Sequence, residues 1–170
     1  MSFTKNIQET NTVEIPMGGL GFTAPGKTVL QTFVGSCVAI CIYDVVTKSA
    51  GMAHVMLPKN NTSDPAPKPD GKFADIALKI ILERLESNGA KPGRLKAKMA
   101  GGANVFRNES KQNMFNIGVR NVELIRSTLA EKKILIVSED VGSTNGRWVT
   151  FDANSGEMTI KERTKGVSVI

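Results

Sequence analysis

A chain of 170 residues with 41 % hydrophobic and 22 % charged residues fits one domain with a core of its own. Sixteen glycines with one Trp and one Tyr predict many tight turns around an aliphatic interior. The net charge of +6 comes from scattered Lys and Arg, interrupted by acids and without interleaved aromatics. That pattern argues against nucleic-acid binding and fits attraction to an acidic protein surface.

The polar residues 1–12 lack the apolar segment of a signal peptide, and no apolar run approaches the ~18 residues of a membrane span. The expectation is a cytoplasmic protein without membrane insertion. Two cysteines four residues apart, if on one strand, lie roughly 13 Å apart at about 3.3 Å per residue. A disulfide tolerates about 7 Å, so free thiols and a reducing compartment are expected.

In chain order, residues 12–15 and 29–34 read as short strands around a Gly/Pro-rich stretch, 16–26. Residues 36–43 (SCVAICIY) and 50–57 (AGMAHVML) are apolar runs separated by a turn, which predicts an antiparallel hairpin. Residues 60–71 carry Pro65, Pro67 and Pro69 and read as a loop, either a flap over a substrate or a plain surface connection.

Residues 72–88 predict a helix with Phe73, Ile76, Ala77, Ile80, Ile81 and Leu85 inward and Gly89 as its stop. A strand is expected over 95–100, ended by Gly101-Gly102, and a second helix over 115–132 with Val119, Val122, Ile125 and Leu129 inward. Strands over 134–137, 147–151 and 157–160 follow, the last two joined at Asn154-Ser155-Gly156. The polar residues 164–170 are expected to fray, as are 1–12.

The expected fold is a single α/β domain of the α+β type. It is a layered sandwich of largely antiparallel or mixed sheets, with seven or eight strands and two main helices.

Chemistry concentrates at Gly35-Ser36-Cys37 and His54, the only histidine. A nucleophilic thiol needs a base, and one imidazole leaves one choice. If the hairpin turns near Val46-Thr47, His54 falls opposite Ala39 and shares a face with Cys37, roughly 7 Å away on the diagonal. A one-residue slip separates them. Both residues also fit a plainer role, since cysteines in apolar strands are commonly small core residues. Cys41, mid-strand, reads as packing.

Gly35 permits an unusual backbone angle, and N–H groups at Ser36 and Cys37 are candidates for an oxyanion pocket. Alternatively, Ser36 merely closes the turn. Cys37, Cys41 and His54 lack zinc-ligand spacing, and Asp64, Asp70 and Asp75 lack metal-loop spacing. Gly18-Gly19-x-Gly21 and Gly101-Gly102 lack nucleotide-loop patterns, so neither metal nor cofactor is expected.

An ordered set of blocks spans about residues 13–161. It comprises Gly35-Ser36-Cys37-Val38, Tyr43-Asp44, Gly51-Met52-Ala53-His54, Leu57-Pro58, Gly101-Gly102-Ala103-Asn104, Ile117-Gly118-Val119-Arg120-Asn121, Glu139-Asp140-x-Gly142, Gly146-Arg147 and Ser155-Gly156-Glu157. In this the chain resembles the CheD family of chemoreceptor glutamine deamidases. The resemblance implies a Cys-His-Thr hydrolase that converts receptor glutamines to glutamate, in some members also hydrolysing glutamyl methyl esters. Cys37 matches the nucleophile and His54 the base, and a thiolate–imidazolium pair is expected. Thr32 matches the third residue, with Gln31 the neighbouring alternative. The implied partners are the cytoplasmic domains of chemoreceptors (methyl-accepting chemotaxis proteins) and a CheC-type phosphatase. An alternative role is a non-catalytic adaptor joining the two.

Overall fold

A computed structural model of the chain describes residues 11–104 and 116–170. Its first sheet follows the order β1-β3-β8-β9-β10 and its second β2-β5-β4-β6-β7. The strands are β1 (Thr12–Glu14), β2 (Leu20–Phe22), β3 (Val29–Val34), β4 (Val38–Asp44), β5 (Ser49–Val55), β6 (Lys96–Gly101), β7 (Leu135–Val141), β8 (Arg147–Asp152), β9 (Glu157–Glu162) and β10 (Gly166–Val169). The helices are α1 (Ala74–Ser87) and α2 (Ile117–Glu131).

The sequence of β4 explains the layering. Every residue of this strand is buried, because it sits between β5 and β6 with neither face in water. Val38, Ile40 and Ile42 join a core with Ala77, Leu78, Ile81, Ile125 and Leu129 of the two helices. Ala39, Cys41 and Tyr43 point the other way, into a core with Leu30, Val149, Phe151 and Ile160 of the first sheet. The order of layers is therefore sheet, sheet, helices. The outer face of the first sheet carries no covering element among the described residues.

The sheets are mixed, as expected. β1 pairs with β3 in parallel, and β6 pairs with β7 in parallel through the α2 crossover, while the other pairings are antiparallel. The β4–β5 hairpin sets Ala39 opposite His54 and Tyr43 opposite Ala50, the register read from the apolar runs.

Ten strands replace the seven or eight expected. β2 lies inside the stretch read as irregular, where Leu20 and Phe22 pack beside the helix-side core while pairing with β5. β10 occupies the end expected to fray: Val167 and Ser168 pair with β9, and Ile170 and Met158 exchange backbone hydrogen bonds at 2.8 and 3.0 Å. Residues 11 and 12 are tied down as well, since the Asn11 amide holds Thr28 by two hydrogen bonds. The expectation for 1–10 and the helix start at Phe115 lie outside the described residues.

Both helices are rotated slightly from their predicted stripes. α1 buries Ala74, Ala77, Leu78, Ile81, Leu82 and Leu85, leaving Ile76 and Ile80 half-buried. α2 buries Gly118, Asn121, Val122, Ile125 and Leu129, and Val119 is exposed rather than inward. Close approach sets that second rotation. A Cβ on Gly118 would stand 2.7 Å from the Gly102 carbonyl, so the Gly118 face must turn inward. No helix of the described residues is long and apolar enough to cross a membrane.

Candidate active site

Cys37, His54 and Thr32 come from three consecutive strand segments, and alternation places all three on the side between the sheets. Leu30 and Val34 of β3 point into that core, and Thr32 shares their parity. Ala50 and Met52 of β5 do the same, and His54 follows them. Cys37 packs against the same cluster just before β4, two residues from the Ala39–His54 pair. It is half-buried, whereas Cys41 is completely enclosed, and both thiols are free.

His54 is 3 % exposed and its ring spans the gap between the sheets. Nδ1 lies 2.8 Å from Thr32 Oγ1, which in turn donates to the Ile15 carbonyl at 2.8 Å. A threonine hydroxyl has one proton, and a carbonyl can only accept it. Thr32 therefore receives the Nδ1–H of His54, and the neutral ring carries its lone pair on Nε2. Among the described residues Nε2 has no hydrogen-bond partner, Cys37 Sγ included. The His54 backbone is held too, its N–H donating to the Gly19 carbonyl at 3.0 Å. Gln31 faces elsewhere: its amide donates to Glu14 at 2.6 Å and it accepts from Thr150 Oγ1 at 3.0 Å.

The Gly35-Ser36-Cys37 bend hangs from the end of β6. Gly102 N–H donates to the Cys37 carbonyl at 2.8 Å and Ala103 N–H to the Gly35 carbonyl at 2.9 Å. Left-handed backbone is found here at Gly101 (φ +116°) and Gly102 (φ +64°), and Gly35 makes no use of the freedom a glycine permits. The close approach explains both glycines, because a Cβ on Gly101 would sit 2.3 Å from the Cys37 carbonyl oxygen. Among the described residues the Ser36 and Cys37 N–H groups have no acceptor, which leaves two donors beside the thiol.

The electrostatics of the two groups run in parallel. Burial pushes the Cys37 thiol above its ordinary pKa and pushes the His54 imidazole below its own. Both shifts favour the uncharged forms, a thiol and a neutral imidazole, over an ion pair. Burial raises the Cys41 thiol well above the ordinary range, despite the nearby Lys98, which fits its packing role.

Three supports went unread in the sequence. The role of Gly101-Gly102 in holding the Cys37 bend goes beyond the strand stop and family block that the sequence shows. Asn121, fully buried on α2, donates to the Met56 carbonyl at 3.1 Å and ties the helix to the segment leaving His54. Arg147, also fully buried, binds the Asp140 side chain at 2.5 Å, the Asp140 carbonyl at 2.8 Å and the Gly142 carbonyl, closing the turn between β7 and β8. No cluster of His, Cys, Asp and Glu suited to a metal is found among the described residues.

Comparison with known proteins adds the lineage. The chain matches the family model CheD, described as CheD chemotactic sensory transduction, over residues 56–162. It is 42 % identical over 154 residues to the chemoreceptor glutamine deamidase CheD of Halalkalibacterium halodurans, covering 91 % of this chain and 95 % of that one. It is 34 % identical over 163 residues to the protein of the same name from Bacillus licheniformis, covering 96 % and 97 %. Among solved structures, the hypothetical protein YfiH of Bacillus licheniformis aligns with a TM-score of 0.44 at 16 % identity, over 72 % of this chain and 49 % of that one. With matched residues running through nearly the whole length of its relatives, this chain belongs to the CheD family.

Proposed function

We propose that this protein hydrolyses the side-chain amide of specific chemoreceptor glutamines to glutamate, with Cys37 as nucleophile. The observation that carries the reading is the Thr32–His54 hydrogen bond of 2.8 Å, which leaves the Nε2 lone pair free on the inter-sheet side that Cys37 also packs against. Relatives named chemoreceptor glutamine deamidase supply the substrate class.

In the first half-reaction Sγ attacks the carboxamide carbon while its proton passes to Nε2. The new C–S bond forms as the carbonyl π electrons move onto oxygen, and the Ser36 and Cys37 N–H groups, which have no acceptor among the described residues, receive that oxyanion. Collapse breaks the C–N bond, and Nε2 returns the proton to the departing nitrogen as ammonia. In the second half, water gives a proton to Nε2 and its oxygen attacks the thioester. The C–S bond breaks, the proton returns to sulfur, and glutamate leaves. A glutamyl methyl ester follows the same path with methanol as the leaving group.

Thr32 keeps Nδ1 protonated throughout and so keeps Nε2 available. The site works in the cytoplasm, where receptor signalling domains are accessible. A CheC-type phosphatase is the second partner we assign, held by surface contacts that do not need the thiol.

The test is mass spectrometry of a receptor cytoplasmic fragment after incubation. Wild-type protein adds about one dalton per converted amide, an amide-to-acid change by the thiol route. Cys37→Ala, which removes only the sulfur from a half-buried position, adds none. Conversion by Cys37→Ala at the wild-type rate would exclude this mechanism. A CheC-type protein that co-elutes with wild type and not with Cys37→Ala would exclude the second partner as assigned.

A further inference from the structure

The open face of the first sheet carries a band of side chains without a use in the chemistry above. Phe33, Trp148, Lys161 and Val167 stand in one cross-strand row on β3, β8, β9 and β10. Phe33 and Trp148 meet edge to face with centroids 5.4 Å apart, yet remain 50 % and 45 % exposed. Val167 and Val169 are exposed beside them. Around the aromatic pair lies a groove of about 800 Å3 lined by Asn145, Lys161, Arg163 and Thr164 as well as the two rings. Its lining includes two cations and no carboxylate. Glu162, the neighbouring acid, turns inward, where Asn145 and Thr164 hold it.

We infer that this groove docks an acidic amphipathic helix of the receptor substrate, an inference that rests on the deamidase reading. The aromatic–cation composition supplies the chemistry. An exposed Trp beside Arg is the residue pairing that anchors protein interfaces, and a groove with cations and no acid favours a partner with carboxylates flanking an apolar stripe. The backbone supplies the shape. On a sheet face the strands' hydrogen bonds are already used between strands, so an added strand gains nothing there. A helix brings its own hydrogen bonds and can lie flat on the rings.

Position completes the case. Phe33 is followed by Val34 and then by Gly35-Ser36-Cys37, and Gly146 in the groove packs against the Phe33 ring. Four residues of chain span at most about 14 Å. Phe33 and Cys37 therefore lie within about 14 Å of each other along one chain segment, so the groove adjoins the end of the sandwich that carries the thiol.

Trp148 is the only tryptophan of the chain, so its fluorescence reports docking directly. The experiment titrates the Cys37→Ala protein with a helical peptide of a chemoreceptor cytoplasmic domain, rich in glutamate and containing one glutamine. The controls are the same peptide with its glutamates replaced by lysine, and a single-stranded oligonucleotide. Expected is a saturable blue shift with the acidic peptide alone, weakened about tenfold by K161E/R163E and weakened by added salt. Circular dichroism of K161E/R163E establishes that the variant is folded.

Silence of Trp148 with the acidic peptide overturns the docking site, and if wild type still deamidates that peptide the enzyme reading survives. A shift that ignores K161E/R163E, or that the lysine peptide or the oligonucleotide reproduces, also overturns it. The expected shift with no deamidation by wild type sustains the docking surface and removes the enzyme reading.

Discussion

The hydroxyl of Thr32 fixes the tautomer of His54. It donates to the Ile15 carbonyl and accepts from Nδ1, each at 2.8 Å, and so has no second proton with which to protonate the ring from outside. Thr32→Val keeps the shape and removes both bonds, leaving two buried polar groups unpaired at about 1–3 kcal/mol each. The ring is then free to carry its proton on Nε2, where it cannot act as a base. Activity should fall on the order of a hundredfold, and Thr32→Ser should recover most of it. With one histidine in the chain, the long-range 15N–1H pattern of the imidazole assigns the tautomer unambiguously. An Nδ1–H ring with full activity in Thr32→Val would remove this role.

The pH behaviour follows from the two shifts toward neutrality. His54 must be uncharged to accept a proton, and burial lowers its pKa, so kcat/KM should hold down to below about 6.5 before falling. Burial raises the Cys37 pKa, so alkylation by iodoacetamide should be slow at neutral pH and climb only above about 8.5, where free thiols ionise. Cys41, fully enclosed, should stay unlabelled until the protein unfolds. Rapid alkylation of Cys37 on a plateau through pH 6–8 would mean that a thiolate–imidazolium pair exists at rest, and that the neutral site is wrong.

Much of this architecture was legible because its signals are long and local. The apolar runs flanking residues 44–49 carry the Ala39–His54 register on which a shared face of Cys37 and His54 depends, whereas Thr32 rests on the family resemblance alone. β2 and β10 escaped because they are short and depend on distant partners: Leu20 pairs with Ala53, and Val167 with Lys161. Neither has the length for alternation to be seen. The inward face of α2 was misjudged at Val119 because hydropathy has no term for two backbones in contact, as at Gly118 and Gly102. The direction of the two pKa shifts is hidden from the sequence for a related reason. Proximity of a thiol to an imidazole is visible in a strand register, but the depth at which both are buried is not.

Gly101 tests how tightly β6 holds the nucleophile. Its φ of +116° is unfavourable for any residue with a Cβ, and that Cβ would stand 2.3 Å from the Cys37 carbonyl. In Gly101→Ala something must move, and the opposing group is backbone of the nucleophile itself. A stability loss of about 3 kcal/mol or more is expected. Activity per folded molecule should fall as well, because the displaced atoms carry Cys37 and its neighbouring N–H groups. Urea unfolding gives the first quantity, and kcat measured well below the unfolding midpoint gives the second. A variant destabilised to this extent with unchanged kcat would separate the Gly101 contact from the positioning of Cys37.

The opposite end of β4 should behave differently. The Asp44 carboxylate, fully buried, takes a forked pair from Arg94, with Nη2 at 2.7 Å and Nε at 3.1 Å, and accepts from Val46 N–H at 2.9 Å. The Arg94 hydrogen bond is the first cause that holds its pKa below the ordinary carboxylate value. A carboxylate with a depressed folded pKa stabilises the fold above its unfolded pKa of about 3.9, and that contribution disappears as pH falls through the folded value. Arg94→Met, which leaves the buried charge unpaired, should therefore lower the urea midpoint at pH 7. Its difference from wild type should shrink once the medium is acidic enough to protonate Asp44 in both proteins. Seven strand residues put roughly 23 Å between this turn and Cys37, so kcat should not change. A kcat loss in Arg94→Met matching that of Gly101→Ala would mean that the hairpin transmits strain along its length, and that the chemistry depends on more than the end of the sandwich where Thr32 and His54 meet.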